Sequence, residues 1–308
     1  MHIHGLIAAP FTAMDEEGNI DLELIEKQAE LLYHNGVKGA FVCGTTGESL
    51  SLTHAERKNV AARWVQVAPA DFKVIVHVGH TCLPECRSLA AHAQQIGAWG
   101  IGAMGPCFFK PETVDDLVAF CAEIAAAAPH LPFYYYHMPA ITGVAFPMID
   151  FLEKAASRIP TLAGIKYTNE NLMDYQACRL FQPQRYDMLF GRDEILLSAL
   201  VLGARGAVGS TYNFAAPLYY QIIEAFEKGN LPRAQSLQTR SMDMVRVLQN
   251  VKGSFLAAGK AVMKYVGIDC GPVRLPLQNL APGEYEKMVI ELEELDFSSI
   301  KVEYPVTT

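Results

Sequence analysis

The chain has 308 residues, 51% of them hydrophobic and 19% charged, with a formal net charge of −8 at neutral pH. Such a length suits one large α/β barrel with an extension, and the composition is that of a packed core, which excludes a disordered segment. The acidic balance, with no cluster of lysines or arginines, disfavours a nucleic-acid or membrane-surface partner, and no apolar run reaches the roughly 18 to 20 residues that cross a bilayer.

Apolar β-type runs alternate with amphipathic stretches as far as residue 229. In chain order the expected strands are "GLIAAPF" (5–11), "GAFVCG" (39–44), "KVIVHVG" (73–79), "GIGAMGP" (100–106), "PFYYYHM" (132–138), "LAGIKYT" (162–168), "YDMLFG" (186–191) and "GAVGSTY" (206–212). Between the first two lies "DLELIEKQAELLYHNG", with Leu24, Ile25, Ala29, Leu31 and Leu32 on one helical face and a glycine stop. "THAE" at 53–56 has capping-box spacing, and "PLYYQIIEAFEKG" at 217–229 is the last helix of the series. Eight strand–helix units with short loops predict a parallel sheet closed into a TIM (β/α)8 barrel over residues 1–229.

Residues 230–308 break that rhythm with three helical patterns, "AQSLQTRSMDMVRVLQNV", "FLAAGKAVMKYVG" and "EYEKMVIELEEL". They are too few for a core of their own and are expected to form a C-terminal helical extension packed on the barrel. The start "MHIHGLIAAP" lacks the basic segment and cleavage site of a secretory leader. Seven scattered cysteines (43, 82, 86, 107, 121, 178 and 270), never spaced C-x-x-C, suggest neither a disulfide framework nor a thiolate metal site. The expected setting is the cytoplasm.

In such a barrel the active site lies at the C-terminal strand ends. Those ends read "GTTGES", "HVGH", "YYYHMP", "IKYTN", "FGRDE" and "GSTYN", and they hold nearly every polar residue of the strands. Strand alternation puts Leu162, Gly164, Lys166 and Thr168 on one face. Turned inward, Lys166 stands in the barrel mouth, where desolvation lowers its pKa and frees a neutral amine to attack a ketone; the alternative is a lysine that snorkels outward or pairs with a carboxylate. Tyr134 and Tyr136 share a face, and an inward Tyr136 is a proton carrier within reach of an imine, where Tyr135 reads as a packed core ring. Thr45, Thr46 and the backbone between Gly44 and Gly47 suit a carboxylate. Asp193 and Glu194 either bind hydroxyls of a ligand or cap the apolar helix that follows.

Taken together, "GTTGE", the Tyr136 of "YYYHMPA" and the Lys166 of "GIKYT" resemble the Schiff-base class I aldolases of the N-acetylneuraminate lyase and dihydrodipicolinate synthase group, and the resemblance runs along the whole chain, extra helices included. "YYYHMPAITGV" and "FGRDEILLSALVLGARGAVGSTYN" are similar to the lyase branch. The synthase branch usually carries an arginine two residues after the motif's proline, whereas Pro139 is followed here by Ala140, Ile141 and Thr142.

The resemblance implies aldol cleavage of N-acetylneuraminate to N-acetylmannosamine and pyruvate, with Lys166 forming the imine and Tyr136 relaying the proton. It implies that Thr45 and Thr46 hold the keto acid's carboxylate and that Thr168, Gly191, Asp193, Glu194 and Ser210 line the sugar end. It further implies no cofactor, no metal and a homotetramer. Two departures stand out: "GPCFFKP" offers Phe108 and Phe109 where synthases of the group often lend a tyrosine to the adjacent subunit, and His137 stands where many bacterial relatives have asparagine. Three rival readings are a metal-dependent hydrolase built on His2, His4, His77 and His80, an aldolase of the same group acting on another 2-keto acid, such as a 2-keto-3-deoxy sugar acid, and a barrel kept as a binding module.

Overall fold

A computed structural model describes residues 2–304. Eight strands, β1 (Gly5–Ala8), β2 (Gly39–Val42), β3 (Lys73–His77), β4 (Gly100–Met104), β5 (Phe133–His137), β6 (Leu162–Tyr167), β7 (Asp187–Phe190) and β8 (Gly206–Gly209), pair in chain order and close into a barrel. Every pairing is parallel, and β8 meets β1 with Gly206 opposite Gly5 and Val208 opposite Ile7. Each strand stops one to three residues before its expected end. The reason is local: residues such as Pro10, Gly44, Gly79 and Pro106 turn the chain out of the ladder.

The returning helices are α1 (Leu24–His34), α2 (His54–Val67), α3 (Leu83–Gln95), α4 (Val114–Ala126), the single turn α5 (Pro139–Thr142), α6 (Met148–Ala155), α7 (Leu172–Leu180), α8 (Leu196–Val201) and α9 (Tyr212–Glu227). In α1 the buried face is Ile25, Ala29, Leu31 and Leu32, joined by Gln28, whose amide donates to the Phe11 carbonyl at 3.0 Å. Leu24 is only half-buried. The capping box before α2 forms as the spacing predicts, with Thr53 and Glu56 each bonded to the other's backbone N–H. The last barrel helix departs from expectation. It begins at Tyr212, where a strand residue was expected, and breaks at Ala215, because Pro217 disfavours helical geometry in the residues before it.

Two cores follow from strand alternation. Ile7, Phe41, Ile75, Tyr134, Leu189 and Val208 fill the barrel, while the opposite faces, with Ile165, Tyr135 and Phe190 among them, pack under the helices. Five of the seven cysteines, at 43, 86, 121, 178 and 270, lie buried as free thiols; Cys82 is exposed. No helix among the described residues is long and apolar enough to cross a membrane.

Beyond the barrel, α10 (Leu231–Gln249), α11 (Phe255–Tyr265) and α12 (Glu284–Glu294) form the three helices expected there. Along α9 lies α10, against which α11 and α12 pack. The last part of the expected extension, residues 305–308, lies outside the described residues, as does Met1.

The barrel floor is closed by Asp187, a 1%-exposed carboxylate that accepts from the Ile3 N–H at 2.9 Å and the Tyr134 hydroxyl at 3.4 Å. Burial pushes its carboxyl above the usual range. Replacing it by alanine, Asp187→Ala, orphans both donors and should cost about 2 kcal/mol, read as a melting temperature lower by a few degrees; an unchanged melting temperature would show that water satisfies them instead.

Candidate active site

All nine residues singled out by sequence line one cavity of about 390 Å³ at the C-terminal mouth of the barrel. Ladder register explains the centre of it. Tyr136 of β5 lies directly beside Lys166 of β6, and both point inward. The Lys166 amine sits 4.0 Å from the ring centroids of both Phe41 and Tyr136, and the residue is 4% exposed. No carboxylate pairs with it among the described residues, so neither the snorkelling nor the ion-paired alternative is what forms. Burial drives its pKa down from 10.5 to about 7, with Asp193 pulling weakly the other way.

Tyr136 is buried and its hydroxyl is 3.2 Å from Thr45 Oγ1 and 3.0 Å from the Met138 sulfur. Burial raises the phenol to about 12, and the Thr45 bond opposes that rise. At neutral pH Tyr136 is therefore a phenol. Tyr134 lies deeper on the same face, and Tyr135 packs outside against Phe151 at 4.7 Å between centroids. His137 also points outward, between Tyr135 and Tyr167, with its pKa lowered to about 4 by burial. It takes no part in the cavity.

The loop from Gly44 to Glu48 is a tight turn. The N–H groups of Gly47 and Ser49 donate to the Gly44 carbonyl and that of Glu48 to Thr45, while no acceptor among the described residues takes the N–H of Thr45 or Thr46. Thr12 anchors the turn by donating to the Gly47 carbonyl at 2.8 Å. Two free amides and two hydroxyls at one cavity wall are what an anionic group needs.

On the opposite wall Asp193 is 5% exposed, and its Oδ2 accepts from the backbone and the hydroxyl of Thr211 at 3.0 and 2.6 Å. No side-chain cap bond forms at the start of α8, although Asp193 and Glu194 lie in the short helical turn that leads into it. Desolvation, with repulsion from Glu194, raises the Asp193 carboxyl. Gly209 makes the approach possible, since a β-carbon there would stand 2.0 Å from Asp193 Oδ1. Gly191 has the same kind of role: a β-carbon would meet the Thr168 hydroxyl at 2.1 Å. That hydroxyl is buried and has no hydrogen-bond partner among the described residues. Glu194 and Ser210 are half-exposed at the rim.

Several cavity residues carried no strand-end signal. Gln249, Ser254, Phe255 and Leu256 come from α10 and the start of α11, so the extension supplies a wall of the site. Met138 and Arg192 sit within quoted motifs, yet a thioether accepting hydrogen bonds and an arginine paired to Glu170 at 2.6 Å have no sequence mark. Ile141 lines the mouth with an apolar side chain. The histidines do not assemble: His2 lies on the barrel floor, 3.6 Å from Asp187 Oδ1, while His77 is inside the barrel against Ser49 and the Cys43 carbonyl, each at 3.1 Å. Among the described residues no three His, Cys, Asp or Glu side chains are placed to share a metal ion.

A buried amine whose pKa is lowered toward neutrality, at the mouth of a closed parallel barrel, defines this chain as a (β/α)8 protein with a desolvated lysine in its cavity. The chain belongs to the dihydrodipicolinate synthetase family, whose profile matches residues 2–295. It is 44% identical over 301 residues to the N-acetylneuraminate lyase of Mus musculus, an overlap covering 96% of this chain and 94% of that protein. Among solved structures it superposes on the N-acetylneuraminate lyase of Aliivibrio salmonicida with a TM-score of 0.92 at 43% identity, covering 96% and 97% of the two chains. The Proteus mirabilis N-acetylneuraminate lyase gives a TM-score of 0.92 at 38% identity, covering 96% and 99%.

The lowered pKa of Lys166 has a measurable sign. Protonation of the folded chain at this amine is complete only below about 7, against 10.5 for an ordinary lysine, so the neutral fraction rises through neutrality and this group favours folding increasingly as pH climbs between those values. Reductive methylation with formaldehyde and cyanoborohydride should label Lys166 with half-maximal rate near pH 7; a profile matching the surface lysines would refute the desolvated amine.

Proposed function

We propose that the protein is a carbon–carbon lyase that cleaves N-acetylneuraminate to N-acetylmannosamine and pyruvate through a Schiff base on Lys166. The observation that carries this reading is the buried, readily neutral Lys166 amine in register with Tyr136 at the cavity, in a chain similar along its length to proteins named N-acetylneuraminate lyase.

The Lys166 amine attacks the C2 ketone of the open-chain sugar acid, and loss of water leaves a protonated imine. Thr45 and Thr46, with the free amides of their loop, hold the C1 carboxylate. The C4 hydroxyl gives up its proton toward Tyr136 by way of that carboxylate, the C3–C4 bond breaks, and its electron pair moves into the iminium to give an enamine. A phenol near pKa 12 passes a proton on and does not store it. N-acetylmannosamine departs, C3 is protonated, and water releases pyruvate from Lys166. Thr168, Gly191, Asp193, Glu194 and Ser210 receive the polyhydroxylated end; paired carboxylates and hydroxyls satisfy its many O–H donors. The iminium is the electrophile, so no step uses a metal or a cofactor.

The protein is further proposed to be a cytoplasmic homotetramer. Its free thiols suit a reducing compartment, and Phe108 and Phe109, 76% and 84% exposed and stacked edge to face, suit burial against another subunit.

Mass spectrometry after incubation with pyruvate and borohydride should find a reduced adduct on Lys166; its absence from folded protein sinks the Schiff-base reading. Lys166→Ala should lose nearly all turnover while keeping its fold, and a chelator should leave turnover unchanged. Tyr136→Phe should lower turnover by about 10²–10⁴-fold and still give the pyruvate adduct, since the amine is intact; wild-type turnover in that variant would remove Tyr136 from the proton path.

A further inference from the structure

The last residue of "GTTGE" has no part in the reaction above, and the structure treats it unusually. Glu48 is a non-glycine residue in the left-handed region, φ 59°, as is Cys43 at the other end of the same loop, φ 56°. Such backbone persists only where the surroundings hold it. At Glu48 the holding is done by the side chain. Its carboxylate is fully buried, with Oε1 2.8 Å from the amine of Lys260, itself 2% exposed. Oε2 accepts from the Arg274 N–H at 2.8 Å, and the Lys260 amine donates to the Pro272 carbonyl at 2.6 Å. The Arg274 guanidinium reaches on to the Ser51 carbonyl at 3.1 Å and to both oxygens of Glu56 at 2.8 and 2.5 Å. Lys260 lies in α11 and Arg274 after it, so the extension grips the turn from beneath. None of Glu48, Lys260 and Arg274 lines the cavity.

A buried ion pair adds little net stability, because desolvation offsets the attraction, and its best-attested use is to select one conformation. We propose that the Glu48–Lys260 pair is a clasp that keeps the Gly44–Glu48 turn in its binding shape, which makes both residues positioning residues for the substrate's carboxylate. Without the clasp Glu48 relaxes toward negative φ, and the motion passes through flexible Gly47 to the hydroxyls and amides of Thr46 and Thr45. The extension is thereby part of the binding apparatus twice over, as a cavity wall and as the anchor of the opposite loop. This inference rests on the reading of Thr45 and Thr46 as the carboxylate's holders.

The test uses the full chain, pyruvate as probe, and cyanoborohydride trapping on Lys166, with the melting temperature measured alongside. Glu48→Gln with Lys260→Met replaces both charges at once and leaves no buried ion unpaired. The double variant should hold its melting temperature within a few degrees and reach the parent's maximal trapping rate within about twofold, while its half-saturating pyruvate concentration rises about tenfold or more. A half-saturating concentration equal to the parent's in the folded variant overturns the clasp and leaves the pair a docking contact only. Should the double variant fail to fold, Lys260→Gln, which keeps a donor toward Glu48 without its charge, is read by the same criterion. Absence of any adduct in the parent overturns the Schiff-base reading itself, and the clasp with it.

Discussion

An amine at the mouth of a closed barrel gives up most of its hydration, and around Lys166 little replaces it. Two aromatic rings stand 4.0 Å away, and among the described residues no carboxylate pairs with it. The cost of charging that nitrogen is what lowers its pKa to about 7, so that a large share of it is a neutral amine near neutral pH. Everything close to it respects the same limit. Asp193 comes near enough to act on the amine but accepts its hydrogen bonds from Thr211, and Tyr136 offers the face of its ring to the amine while its hydroxyl turns to Thr45 and Met138.

The cavity is built from three independent parts held in fixed relation. β5 and β6 set Tyr136 beside Lys166 through ladder register alone. The Asp193 turn is braced from outside the barrel: Gln238 of α10 donates to the Asp193 carbonyl at 3.2 Å and accepts from the Leu197 N–H at 2.8 Å. The Gly44–Glu48 turn is gripped by Lys260 and Arg274. Of the three extra helices, α10 and α11 with the segment after it thus brace both walls that flank the lysine, while α12 packs on α10 and α11.

Much of this was legible along the chain because the relevant signals are local. Strand runs, the Thr53 capping box and the placement of polar residues at strand ends depend on neighbours a few positions away, and all eight strands, with Lys166, Tyr136, Thr45 and Thr46 at their ends, are visible in that way, whereas Thr168, Gly191 and Ser210 enter the site only through the family resemblance. Expected strand ends ran long because turn residues look apolar or small in a window but leave the ladder one by one. The Tyr212 start of α9 was missed since its polar neighbours read as a strand end until Pro217. Asp193 stayed ambiguous between cap and ligand site for the same reason, as either use puts a carboxylate before an apolar helix.

Residue order alone therefore settled the eight-strand barrel and which residues share a strand face, because side chains alternate with a two-residue period. Packing across the fold decided the rest. How far the Lys166 pKa falls depends on Phe41 and Tyr136 from other strands, and the phenol state of Tyr136 depends on its burial. Whether Asp193 caps or reaches into the cavity depends on Thr211 and on the missing side chain of Gly209. The partnership of Glu48 with Lys260 joins residues more than two hundred positions apart, and no local pattern can announce a contact whose two halves meet only when the barrel has closed and the last helices have docked.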